Sequence, residues 1–200
     1  IYPVYYLDFE TIGLSIPVFE GSKPYQQLVF QYSLHIQEIS GSESIHKEYL
    51  ADPKEDPRIK FIEQLILDCG VSGDILVYNI GFEKGKIEDL IETFPEHSIE
   101  LQKIISRLKD LMVPFQKKWY YTPKMRGSYS IKQVLPALVP ELSFKDLEIN
   151  EGGNASTTFL SMVNGTFKGN ESQTRKSLLE YCKMDTYAMV KIVEKLNEIK

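Results

Sequence analysis

Soft metal ligands are scarce in this chain, with two cysteines and three histidines in 200 residues. Cys69 and Cys182 show no metal-ligand spacing, and His35, His46 and His97 are scattered, which excludes a zinc-knuckle arrangement. The histidines are expected to be surface or hydrogen-bonded residues. One disulfide stays open, but cysteine usage this sparse fits a reducing compartment better. Long apolar runs are missing too: a stretch such as residues 75–78 is far too short to span a bilayer. No secretory pattern, internal repeat or low-complexity tract is present, so a cytoplasmic domain without membrane contact is expected. Positive charge is also in deficit. With 23 Lys and Arg against 28 Asp and Glu, the net charge of −5 argues against a protein that coats nucleic acid. It does not exclude an enzyme that grips one strand end through metal ions.

What is present is an ordinary globular composition, 42% hydrophobic and 26% charged, at a length that suits one domain with a real core. Residues 1–200 are read as a single domain cut from a longer protein, since an apolar strand begins almost at once and no methionine precedes it. Residues 3–9, 28–37 and 45–50 read as three strands joined by turns, an antiparallel meander. The period then changes. Asp56-Pro57 opens a helix whose Ile59, Ile62, Leu65, Ile66 and Cys69 recur every three or four residues, and Gly70 closes it. A compact strand is expected over 74–78, helices over 81–94 and 99–108, a short strand within 112–119 and a short helix over 131–139. A loop over 150–154 precedes helices over 155–163 and 172–198. This order predicts an α/β fold, a mixed sheet with helices on its faces, of the ribonuclease H-like kind.

Three segments carry the chemistry. Asp8 and Glu10 are two apart on a strand, so they share a face. Paired carboxylates raise each other's pKa unless a cation stands between them, and an all-oxygen site suits Mg²⁺ or Mn²⁺. Asn79-Ile80-Gly81-Phe82-Glu83 follows the strand over 74–78 and opens a helix, with Phe82 expected to turn into the core and Glu83 to stand near the sheet edge. Tyr181 and Asp185, four apart, share a face of the last helix. Each pattern alone is common: an Asp-x-Glu on a solvated face, a first-turn Glu facing the helix dipole. A fourth feature is the stretch 103–132, where eight Lys and Arg stand against one acid, Asp110, interleaved with Trp119, Tyr120, Tyr121 and Tyr129. Such a stretch suits phosphates and stacked bases, or else a solvated face over core aromatics.

Taken in order, the motifs resemble those of the DnaQ-like 3′-5′ exonucleases, in the tyrosine subclass of their Asp-Glu-Asp-Asp set. The resemblance matches Asp8 and Glu10 to the first motif, Asn79 through Glu83 to the second, and Tyr181 with Asp185 to the third, across nearly the whole chain. A closer resemblance is to a bacterial family catalogued as a domain of unknown function in that superfamily, around residues 30–35, 78–85, 125–132 and 180–182. The second motif departs from the superfamily by carrying Glu83 where Asp is usual, and the added methylene shifts that carboxylate by roughly 1 Å.

The resemblance implies two-metal phosphodiester hydrolysis on single-stranded DNA or RNA ends. Asp8, Glu10, Glu83 and Asp185 would be the ligands of two divalent ions, Mg²⁺ or Mn²⁺, with Tyr181 orienting the nucleophilic water. Asn79, Phe82, Tyr120, Arg126 and Lys132 are the expected substrate contacts. Two other readings stand beside this one: a nucleic-acid-binding module that has lost turnover, suggested by Glu83, and a structure-specific endonuclease on the same fold.

Overall fold

Aromatic and β-branched residues near the start of the chain form the central strand, β1 (Val4–Gly13), of a five-stranded sheet. The computed structural model describes residues 1–199 apart from 145, 146 and 150. β2 (Gln27–Gln37) and β3 (Ile45–Leu50) extend the sheet antiparallel on one side of β1. On the other side β4 (Asp74–Val77) and β5 (Leu108–Asp110) run parallel, giving the order β3-β2-β1-β4-β5. The sheet is therefore mixed, as expected.

Side chains alternate along β1, and the two faces support two cores. Tyr5, Leu7 and Phe9 pack with α1 (Arg58–Cys69), α2 (Ile80–Thr93) and α3 (Ser98–Arg107). Val4, Tyr6 and Ile12 face α5 (Ile131–Leu138), α6 (Gly152–Val163) and α7 (Glu171–Glu198). Asp8 and Glu10 share this second parity, so both acids point under α7. No helix among the described residues is long and apolar enough to cross a membrane.

Several boundaries differ from those expected. β1 runs on past Phe9 to Gly13, because residues 11–13 still pair with β2 across a bulge. Glu10 lies opposite Gln31 and Thr11 opposite Val29, which leaves Phe30 as the extra residue. Phe30 stacks on Phe159 of α6 at 4.1 Å between ring centroids. No strand forms within 112–119. Pro114 lacks the N–H a ladder needs, and residues 113–116 form instead a helical turn, α4 (Val113–Gln116). The fifth strand begins at Leu108, inside the span expected for the preceding helix. α6 begins at Gly152, so the loop over 150–154 is shorter than expected, and its Asn150 lies outside the described residues.

α7 is held against β2 by buried polar groups. Past the bulge, Gln31, Ser33, His35 and Gln37 point under the helix, and all four are buried. Gln31 Nε2 donates to the Leu178 carbonyl at 2.8 Å. Ser33 Oγ lies 2.6 Å from Thr186 Oγ1 and 2.9 Å from His46 Nε2, and His35 Nδ1 is 2.8 Å from the same Thr186 hydroxyl. Burial lowers the pKa of both imidazoles, His35 to about 3 and His46 to about 4, so they serve as neutral hydrogen-bonding groups. Apolar contact alone would let a helix rotate about its axis, whereas these bonds select one rotation. Thr186→Val strands two buried partners and is expected to cost about 1–3 kcal/mol in thermal or urea unfolding. Thr186→Ser keeps the hydroxyl and should recover most of that loss.

Candidate metal centre

Three elements bring the acids together. β1 supplies Asp8 and Glu10, and α7, locked in rotation by Thr186, supplies the neighbouring Asp185. One carboxylate oxygen from each of the three lies within 4.8 Å of the others. Glu10 and Asp185 are each 8% exposed, and Asp8 is half-buried.

The α2 start supplies Glu83, and its local structure explains the motif around it. Asn79 sits at φ 88°, a left-handed conformation that Asn tolerates better than most residues, and its side chain is exposed. The first amides of the helix are capped across the sheet: Asp110 Oδ1 and Oδ2 accept from the Asn79 and Ile80 N–H groups at 3.1 Å each. Phe82 packs against the core as expected, but Glu83 does not stay at the sheet edge. Glu83 is the buried residue, at 1% exposure, while Phe82 is half-buried against the α1–α3 core. No motif marks Asp110 as a functional residue; its one signal in the sequence is being the only acid of a basic stretch.

Tyr181 lies one turn before Asp185, close enough for its hydroxyl to favour the charged Asp185 carboxylate. A methyl group on Gly152, at the start of α6, would lie 3.7 Å from that hydroxyl and from both Glu10 oxygens. Lys132 Nζ stands 5.5 Å from the centre of the Tyr181 ring and 5.7 Å from that of Phe144. Cys182 Sγ lies 3.7 Å from Asp8 Oδ2. Of the remaining expected contacts, Arg126 is exposed at φ 53° and lines a cleft with Lys132. Tyr120 is half-buried, edge-on to Phe115 at 6.1 Å, and packs on the core, while Trp119 and Tyr121 are exposed.

With this geometry in view, comparison with known proteins adds a family. Residues 5–130 match the family described as Domain of unknown function (DUF2779). The chain belongs to that family. The matched stretch holds Asp8, Glu10 and Glu83, while Tyr181 and Asp185 lie beyond it. An uncharacterized protein of Ureaplasma parvum serovar 3 is 29% identical over 209 residues, covering 94% of this chain and 30% of its own length. An uncharacterized protein of Mycoplasma genitalium is 28% identical over 206 residues, with 94% and 31% covered. The chain thus spans about three tenths of the length of the curated relatives it matches. No solved structure matches it.

Electrostatics at the DUF2779 acids test whether they suit a cation. Burial, then the charges of Glu83 and Glu10, push the Asp8 carboxyl well above its usual range. Burial and the Asp8 charge do the same to Asp185, against opposing effects of Lys132 and the Tyr181 hydroxyl. Glu10 is pushed up to about 8 by burial and Asp185, and Glu83 to about 8 chiefly by burial. Glu83 Oε2 is buried without a hydrogen-bond partner. An all-oxygen donor set with one orphaned oxygen fits a hard divalent cation. Asp8, Glu10 and Asp185 can hold it; Glu83 is not one of the acids that meet within 4.8 Å, and bears on Asp8 through its charge.

The signs give a pH prediction. A carboxyl whose folded pKa lies above its unfolded value stabilises the fold below the unfolded value. That contribution is lost as pH rises through the folded one. For Glu10 and Glu83 the loss falls between about 4.5 and about 8. In EDTA, the melting temperature should therefore be lower at pH 9 than at pH 6, and saturating Mg²⁺ or Mn²⁺ should remove most of the difference. Glu83→Gln should raise the pH 9 melting temperature in EDTA and shrink the gain from metal.

Proposed function

We propose that the domain is a metal-dependent 3′-5′ exonuclease of the DnaQ-like type, hydrolysing phosphodiester bonds of single-stranded DNA or RNA on a ribonuclease H-like fold. The reading rests on one observation: acids from the first strand and the last helix meet within 4.8 Å, and the charge of a buried Glu83 bears on one of them, Asp8. The strand order, three antiparallel strands followed by two parallel ones with the acids on the central strand, supports the fold assignment.

Asp8, Glu10 and Asp185 would hold one Mg²⁺ or Mn²⁺, and Asp8 with Glu83 a second. Two such ions supply Lewis-acid charge to the phosphoryl oxygens and favour ionisation of the attacking water. The chain's own groups do the rest. Burial and the charges of Asp185, Glu10 and Asp8 push the Tyr181 hydroxyl up, so it stays a phenol at neutral pH. It therefore donates a hydrogen bond and orients its partner, and does not act as a base. Lys132 brings positive charge to the same face. In the reaction a bond forms between the water oxygen and phosphorus, and the bond from phosphorus to the 3′-oxygen breaks. The departing 3′-oxygen takes a proton, leaving a nucleoside 5′-monophosphate and a strand one residue shorter.

The test is the purified domain with Mn²⁺ on single-stranded DNA and RNA labelled at the 5′ end. A ladder of products shortened one nucleotide at a time is expected. Loss of an inner ligand should exceed the 10–100-fold typical of outer groups, so Asp185→Asn and Glu83→Gln should each reduce the rate more than about 100-fold. Tyr181→Phe removes one hydrogen bond and should cost about 10–100-fold. Internal cuts without laddering would make the domain an endonuclease. Strand binding without any cleavage would make it a binding module.

A further inference from the structure

We propose that the cleft beside the carboxylates is a second phosphate site, taking the nucleotide that flanks the scissile bond of a single strand; this rests on the nuclease reading above. The cleft holds about 550 Å³, within the range of pockets that accept one small organic ligand. Lys124, Arg126 and Lys132 line it, with Glu151 as the one acid among its described lining residues. In a chain of net charge −5, positive charge is thus concentrated at one opening. Pro136, Pro140 and Phe144 give the cleft apolar surface suited to the face of a base or sugar.

The cations are placed by the backbone. Met125 between them is 1% exposed and anchors a short 3₁₀ turn (Pro123–Met125), so Lys124 and Arg126 project on either side of a buried residue. The Thr122 hydroxyl accepts the Lys124 N–H at 3.1 Å and starts the turn. Arg126 at φ 53° and Gly127 at φ 78° then reverse the chain in the left-handed region. For Arg this conformation is uncommon, and such residues cluster at functional positions. The Tyr78 hydroxyl donates to the Tyr129 carbonyl at 2.7 Å, tying the segment to the end of β4, next to the Asn79–Glu83 motif.

The cleft also leads to the acids. Lys132 and Phe144 line it, and Lys132 stands over the ring of Tyr181, one turn from Asp185. A strand with its reacting phosphate at the carboxylates therefore meets Lys132 first and the Lys124–Arg126 pair next. The substrate implied is an oligonucleotide with a phosphate beyond the one cleaved, rather than an isolated phosphodiester.

The experiment has a binding arm and a kinetic arm, each comparing wild type with Lys124→Ala/Arg126→Ala. In EDTA, fluorescence anisotropy with short single-stranded DNA and RNA is expected to show about tenfold weaker binding by the variant at low salt. The log–log salt slope should flatten by about 0.7 per removed cation. Lys124→Arg/Arg126→Lys keeps both charges and should keep the slope. With Mn²⁺, kcat/KM is measured for an oligonucleotide and for a nucleoside 5′-phosphate p-nitrophenyl ester, which has no flanking phosphate. The oligonucleotide-to-ester ratio should fall about tenfold in the alanine variant. An unchanged salt slope, or equal losses on both substrates, would overturn the cleft assignment. A flattened slope in a protein that hydrolyses neither substrate would support the cleft and overturn the nuclease reading.

Discussion

Three carboxylates sharing a space of 4.8 Å, two of them buried, cannot all carry charge unless positive charge stands among them. Everything around the site bears on that constraint. Lys132 supplies part of the compensation from one side, and the Tyr181 and Cys182 protons supply part from another. The rest is left to protonation or to a bound cation. Burial raises the energy of the charged, metal-free state, and the same burial strengthens the attraction for a divalent ion once it enters. The repulsion that destabilises the empty centre is the source of its affinity.

Such a centre needs rigid supports, because relaxation by even a small rotation of α7 would let Asp185 escape its neighbours. The sheet resists this with directional bonds rather than grease. Gln31, Ser33 and His35 on β2 engage the Leu178 carbonyl and the Thr186 hydroxyl, which brackets Tyr181 and Asp185 on the helix. Arg175 Nη1 adds a bond to the Ala51 carbonyl at 2.9 Å beyond the end of β3. On the other side, Ser156 Oγ donates to the Thr11 carbonyl at 2.6 Å, holding α6 and its Gly152 at the bulge beside Glu10. Asp110 plays the matching part for α2, fixing the turn that buries Glu83. Bulges bend and re-aim strands, and the one at Glu10 and Thr11 sits where β1 must present an acid under two helices.

Much of this could be read from residues alone. The period-two spacing of Asp8 and Glu10 correctly predicts a shared face, and the four-residue spacing of Tyr181 and Asp185 puts the hydroxyl near enough to act on the carboxylate. The meander and the change to helical period after Asp56 also emerge as expected. What stayed hidden depends on contacts distant in sequence. The polar residues Glu10 and Thr11 look like a strand end, yet pairing with β2 carries β1 on to Gly13. Lys109 and Asp110 look unlike a strand, yet pair with β4. The full burial of Glu83 beside a core-packed Phe82 goes with the left-handed turn at Asn79, which no periodicity reports. Tyr120 matched a stacking pattern by composition, but Phe115 draws it onto the core.

The central claim is that the four acids form a site for divalent cations. It is tested most directly by the anomalous-difference map of a crystal grown in saturating Mn²⁺. The account predicts one ion among Asp8, Glu10 and Asp185 and a second between Asp8 and Glu83, roughly 3.5–4 Å apart. A well-ordered structure with no Mn²⁺ at these carboxylates, or with Asp185 turned away from Asp8, would contradict it.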